Sequence, residues 1–108
     1  MARVSFASEK TRQAFVELRK GKYEDKELGR RLEKAFREIA ENPRRFIQVP
    51  WKQVPKTYVQ SYGIDNLYKY DLPDGWRLLY SIVGKEVEVI AVILEWLPHK
   101  EYDRRFKY

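Results

Sequence analysis

The apolar and polar positions of this chain divide it into two halves with different periods. In the second half the longest apolar run is Glu86–Leu97 (EVEVIAVILEWL), apolar on both of its faces. Such a run suits a strand in the middle of a sheet that is covered on both sides. Two alternating stretches precede it. In Asn66–Leu72 (NLYKYDL), Tyr68, Tyr70 and Leu72 share one face while Lys69 and Asp71 share the other. In Trp76–Val83 (WRLLYSIV), Leu78, Tyr80 and Ile82 alternate with Arg77, Leu79 and Ser81. Pro73-Asp74-Gly75 is a turn between them: Pro presets φ, Asp caps locally, Gly takes positive φ. Gly84-Lys85 is placed to close a tight hairpin with Gly at its first central position.

The first half has the helical period. Arg3–Ala7 is a short strand with Val4 and Phe6 on one face. Ser8 is an N-cap for a helix over Glu9–Lys20, with Ala14, Phe15 and Leu18 on its apolar stripe and Gly21 at its end. A second helix runs from about Asp25 to Glu41, striped by Leu28, Leu32, Phe36 and Ile39, filled in by Ala35 and stopped by Asn42-Pro43. The short link predicts an antiparallel αα-hairpin packed on the sheet. Between Pro43 and Asp65, a short helix is expected from Pro55 to Tyr62, ended by Gly63. Phe46, Ile47, Val49 and Trp51 are expected to pack the preceding segment down. The element order is β-α-α-β-β-β, and 108 residues fit one domain with one core.

Composition narrows the chemistry. There is no cysteine and one histidine, so disulfides, cysteine nucleophiles and thiolate or His-rich metal sites are set aside. No run is long enough to span a bilayer and the N-terminus lacks a signal-peptide core, which predicts a cytoplasmic protein without membrane partners. The net charge of +6 favours a polyanionic partner.

Face bookkeeping then gives a site. If the Tyr and Leu faces are core, Arg77, Lys69 and Asp71 converge on the opposite side of the sheet, near the single histidine, His99. Arginine offers a planar fork of permanent charge suited to phosphate, and histidine exchanges protons near neutrality. Plain structural readings stand beside these: an ion pair for Arg77, a surface position for His99, docking of the C-terminal segment by Tyr102, and a solvated face for Arg104-Arg105.

The run NLYKYDLPDGWRLLYSI, followed by an apolar strand and HKEYDRRF, resembles the RelE-like toxins of the RelE/ParE superfamily, most specifically at GWRLLY and at His99–Phe106. The resemblance implies an α+β fold in which a small, mostly antiparallel sheet packs against an αα-hairpin with a short C-terminal helix or tail. It implies the toxin of a type II toxin–antitoxin pair, monomeric within a hetero-oligomer with its cognate antitoxin. RelE-like members grip mRNA in the ribosomal A site and cleave it with the RNA's own 2′-OH, without metal or cofactor. Carried onto this chain, Arg77 contacts the scissile phosphate and Lys69 matches the first basic residue of the preceding strand. His99 and Tyr102 match a C-terminal His/Tyr pattern, His99 as proton carrier and Tyr102 as hydrogen-bond donor or stacking platform. Lys52, Lys56, Lys100, Arg104 and Arg105 would hold RNA. Asp71 stands where many relatives carry a second lysine, as a substitute base or as a partner of Lys69 or Arg77. The second reading is a ParE-like gyrase inhibitor or an inactive relative acting as a binding module.

Overall fold

The computed structural model describes residues 1–85 and 88–106. The elements are β1 (Arg3–Phe6), α1 (Glu9–Lys20), α2 (Tyr23–Glu41), β2 (Ile47–Gln48), a 3₁₀ turn at Trp51–Gln53, α3 (Lys56–Tyr62), β3 (Tyr68–Asp71), β4 (Trp76–Lys85), β5 (Glu88–Pro98) and α4 (His99–Phe106). The strands form one sheet in the order β1-β5-β4-β3-β2. Only β1 and β5 run parallel; the other neighbours are antiparallel. The doubly apolar β5 therefore lies between β1 and β4, inside the sheet. The architecture is α+β, as the sequence pattern predicts.

One face of the sheet carries the αα-hairpin. Leu28, Leu32, Ala35 and Ile39 of α2 pack on Tyr68, Leu72, Leu78, Tyr80, Ile82, Ala91 and Ile93. Phe6, Phe15 and Phe36 knit β1, α1 and α2 together, with ring centroids 5.3–5.7 Å apart. Ser8 caps α1 by accepting from the Thr11 amide. α2 begins at Tyr23, two residues earlier than expected, with Glu24 and Asp25 in a first turn that favours negative charge. Ala14 is exposed, so Phe15 and Leu18 carry the contact of α1 with this core.

The opposite face holds more than the cluster of Arg77, Lys69 and Asp71 that alternation predicts. It holds a second core: Val49, Val54, Tyr58, Ile64 and Leu67 from the middle segment, Leu79, Leu94 and Leu97 from the sheet, and Tyr102 and Phe106 from α4. Ser81 is buried there too, bonded to Asn66, whose amide also takes the Ile82 N–H and donates to the Ile82 carbonyl. A bulge makes this face possible. Leu79 is opposite Glu95 and Tyr80 is opposite Ile93, which leaves Leu94 as an extra residue. Leu94 joins the second core, and Glu95, its neighbour, ion-pairs with Arg105 of α4.

Three expectations need correction. Gly84 and Lys85 are not a tight turn; they belong to β4 and pair with Val89 and Glu88. Gly84 has φ 105° and a Cβ there would collide with the Glu88 carbonyl oxygen, so glycine is required by cross-strand approach. The expected start of the last strand at Glu86 lies outside the described residues. Ile47 and Trp51 do not pack inward: they are 51% and 49% exposed, while Val49 is buried. Residues 47 and 48 form an edge strand on β3 that the sequence reading omits.

Candidate functional site

β3 and β4 set Asp71 directly opposite Arg77, with Lys69 two residues back on the same face. One carboxylate oxygen serves both cations: Asp71 Oδ1 lies 3.1 Å from Arg77 Nε and 3.7 Å from Lys69 Nζ. Arg77 Nε is buried, and its approach to Oδ1 is close without the alignment of a hydrogen bond; it has no aligned acceptor among the described residues. Arg77 Nη1 donates to the Trp76 carbonyl at 3.3 Å, the same carbonyl that takes the Leu72 amide and closes the β3–β4 turn. The Lys69 ammonium sits 5.0 Å from the centre of the Tyr102 ring, a cation–π contact. The side chains of Lys69 and Arg77 are 17% and 23% exposed and that of Asp71 46%.

His99 reaches the same end of the sheet by a different route. Trp76 pairs with Pro98, so α4 starts beside the β3–β4 turn. In that turn Asp74 and Gly75 both have positive φ, 63° and 80°. Asp74 bonds to Arg31 of α2 at 2.6 Å instead of capping locally. Gly75 lies under the histidine: a Cβ on Gly75 would stand 2.8 Å from His99 Nδ1. The imidazole is otherwise exposed. Sequence reasoning does not find this contact, because no local pattern links residue 75 to residue 99.

The other nominated residues fall into two groups. Lys52, Lys56 and Lys100 are exposed. Arg104 and Arg105 are matched by acids. Arg104 pairs with Glu101, while Arg105 bonds to Glu101 at 2.9 Å and to Glu95 at 3.0 Å. Hydrogen bonds from Arg104 and then Arg105 hold the Glu101 pKa at about 2. The Tyr58 hydroxyl is buried next to this network without an aligned partner among the described residues. Burial, and then the Glu95 carboxylate, push its pKa upward. Tyr102 is 1% exposed, its ring stacked on Phe106 with centroids 4.2 Å apart. A base stacking on that ring would first have to displace α4.

The arrangement amounts to two fixed cations focused on one anionic oxygen, with an exposed imidazole at the same sheet end. The αα-hairpin, the mixed sheet and the docked C-terminal helix define a RelE/ParE-like fold. The family described as ParE toxin of type II toxin–antitoxin system, parDE, matches residues 8–94, and the chain belongs to it. No curated protein and no solved structure matches. Membership makes the chain the toxin half of a type II pair, whose partner is a cognate antitoxin. The matched stretch includes Lys52, Lys56, Lys69, Asp71 and Arg77; His99, Lys100, Tyr102, Arg104 and Arg105 follow it.

Proposed function

We propose that residues 1–108 form a single toxin domain that blocks translation in the cytoplasm by cleaving mRNA on the ribosome. The observation that carries this is the convergence of Arg77 and Lys69 on one anionic oxygen, at the sheet end where His99 is exposed. In-line cleavage needs a base for the 2′-OH, positive charge for the phosphorane-like transition state and a proton for the leaving 5′-oxygen. His99 takes the 2′-OH proton. The 2′-oxygen forms the bond to phosphorus, the bond to the 5′-oxygen breaks, the leaving 5′-oxygen takes a proton from solvent water, and a 2′,3′-cyclic phosphate results. Arg77 and Lys69 hold the charge that develops on the phosphoryl oxygens. Burial of Tyr102 favours a positioning role: its ring holds the Lys69 ammonium rather than touching RNA. Lys52, Lys56 and Lys100 supply the exposed charge for the backbone, and the chemistry asks for neither metal nor cofactor.

The antitoxin docking is proposed on the middle segment. Ile47, Trp51 and Val59 are exposed apolar side chains interleaved with the exposed Lys52 and Lys56. An acidic amphipathic segment that folds on binding matches that surface, with one toxin copy per antitoxin segment.

A ParE-like gyrase inhibitor is the second reading. It is favoured by the neutralisation of the nominated cations: Asp71 between Lys69 and Arg77, Glu101 and Glu95 on Arg104 and Arg105. The test is one protein in two assays. Programmed ribosomes carrying end-labelled mRNA should yield an A-site cut ending in a cyclic phosphate, and gyrase supercoiling should be unaffected. Intact mRNA with inhibited gyrase reverses the assignment.

A further inference from the structure

Asp71 Oδ1 occupies the position that a bridging phosphoryl oxygen would take between two cations. It contacts both Arg77 Nε and Lys69 Nζ through a single atom. The fit is incomplete, because the buried Nε–H lacks an aligned acceptor even with the carboxylate 3.1 Å away. Both cations are fixed from other directions, Arg77 by the Trp76 carbonyl and Lys69 by the Tyr102 ring. They would therefore keep their places if the carboxylate left. Asp71 itself is the most exposed of the three, at 46%, and is the member free to swing away. Asp71 meets both cations through one oxygen, whereas a phosphodiester, with the same unit charge, has two non-bridging oxygens to offer the lysine and the guanidinium fork separately.

We propose that Lys69 and Arg77 form an anion seat whose resting occupant is Asp71, an internal counter-ion that a phosphodiester must displace. Asp71 on this view is a regulator of affinity at the site and not its general base. The inference takes the site from the reading above but does not need the cleavage chemistry, since it concerns binding alone.

The experiment measures binding of a fluorescent 2′-O-methyl RNA oligonucleotide, which has no 2′-OH to attack with, by anisotropy at low ionic strength. Removing a negative charge next to a partly exposed phosphate contact should tighten binding by roughly tenfold. Asp71→Asn should show that gain, and Glu41→Gln, the same charge change on exposed α2, should show much less. Arg77→Ala placed in the Asp71→Asn background should abolish the gain. Asp71→Ser, with circular dichroism as the fold check, repeats the test without an amide that could bond to Arg77. Binding by both Asp71 variants that is unchanged, weakened, or no tighter than with Glu41→Gln overturns the proposal. Ribosome cleavage by the parental protein is scored separately. Tighter binding without any cleavage retains the seat and removes the nuclease, whereas cleavage without tighter binding does the reverse.

Discussion

The two faces of the sheet are built on different principles. Under the αα-hairpin, contact is apolar: the three phenylalanines, Leu32 and Ile39 meet alternate residues of the strands. The polar atoms there are few and end on fixed partners, Tyr80 on the Pro43 carbonyl and Tyr70 on Glu38. The other face mixes a second core with ion pairs and a buried hydroxyl lacking an aligned bond. The first face has the composition of a stability core. The second tolerates charge inside it, and buried charge is weak evidence for stability. The proposed site lies on the second face, so on that proposal variants on the two faces should fail in different ways.

The largest expected effect is on the hairpin face. Leu32 is fully buried, and Leu32→Ala should cost about 2–5 kcal/mol in chemical denaturation through lost burial and a residual cavity. Cleavage per folded molecule should be unchanged. A comparable loss of specific activity would mean that the faces are not separable.

Arg77→Ala should behave in the opposite way. Loss of a preorganised phosphate contact costs about 3 kcal/mol in the barrier, on the order of a hundredfold in rate. Its ion pair joins a largely buried guanidinium to a half-exposed carboxylate, and its loss should cost about 1–2 kcal/mol in stability. Single-turnover cleavage and a melting curve on the same preparation decide it. Wild-type cleavage by folded Arg77→Ala protein would end the catalytic reading. His99→Ala should slow the same step by roughly a hundredfold, the lower range for a general base, and Gly75→Ala should reproduce part of that loss by crowding the imidazole.

The contrast between the faces also explains what the sequence reveals. The hairpin face is legible because its cause is local periodicity: Leu28, Leu32, Ala35 and Ile39 repeat at helical spacing and Tyr68, Tyr70, Leu78 and Tyr80 alternate. The convergence of Lys69, Asp71 and Arg77 follows from the same alternation, given the length of the turn. The second core is legible only in part: the doubly apolar run of β5 calls for cover on both faces, but a bulge at Leu94 breaks its alternation and no residue type announces a bulge there. Tyr102 and Phe106 carry a signal, an i, i+4 aromatic pair on a short helix, which matches docking better than catalysis. Glu95 is invisible as a counter-ion until α4 folds back and brings Arg105 to it.

A smaller effect isolates the docking of α4. Glu95→Gln removes the charge that Arg105 meets on the sheet and leaves that guanidinium, 35% exposed, with Glu101 alone. The cost should be about 1 kcal/mol, seen as faster amide exchange in α4 while α2 stays protected. Equal acceleration in both helices would show that the second core is not a separate layer.

The smallest effects lie at the extremes of pH, and they separate the faces by sign. Bonds from Arg104 and Arg105 lower the Glu101 pKa from 4.5 to about 2. A depressed carboxyl pKa gives a contribution that is complete above about pH 4.5 and disappears as pH falls toward 2. The Glu101 side chain is 27% exposed and its two arginine partners reach solvent, so screening keeps this contribution small. On the hairpin face Tyr70 is the reverse case: burial, then the Glu38 carboxylate, push its pKa up to about 12 from 10.0. A raised tyrosine pKa favours the native state below pH 10.0, and that advantage is lost as pH rises from there toward 12. Glu101→Gln should therefore remove a small part of the acid limb of a stability–pH curve, to which Glu9 and Glu27 also contribute, and leave the alkaline limb alone, while Tyr70→Phe should do the opposite. Amide exchange should place the acid effect in α4 and the alkaline effect at the contact between α2 and β3. An acid limb identical in Glu101→Gln and the parental protein would leave Glu95 as the principal anchor of α4.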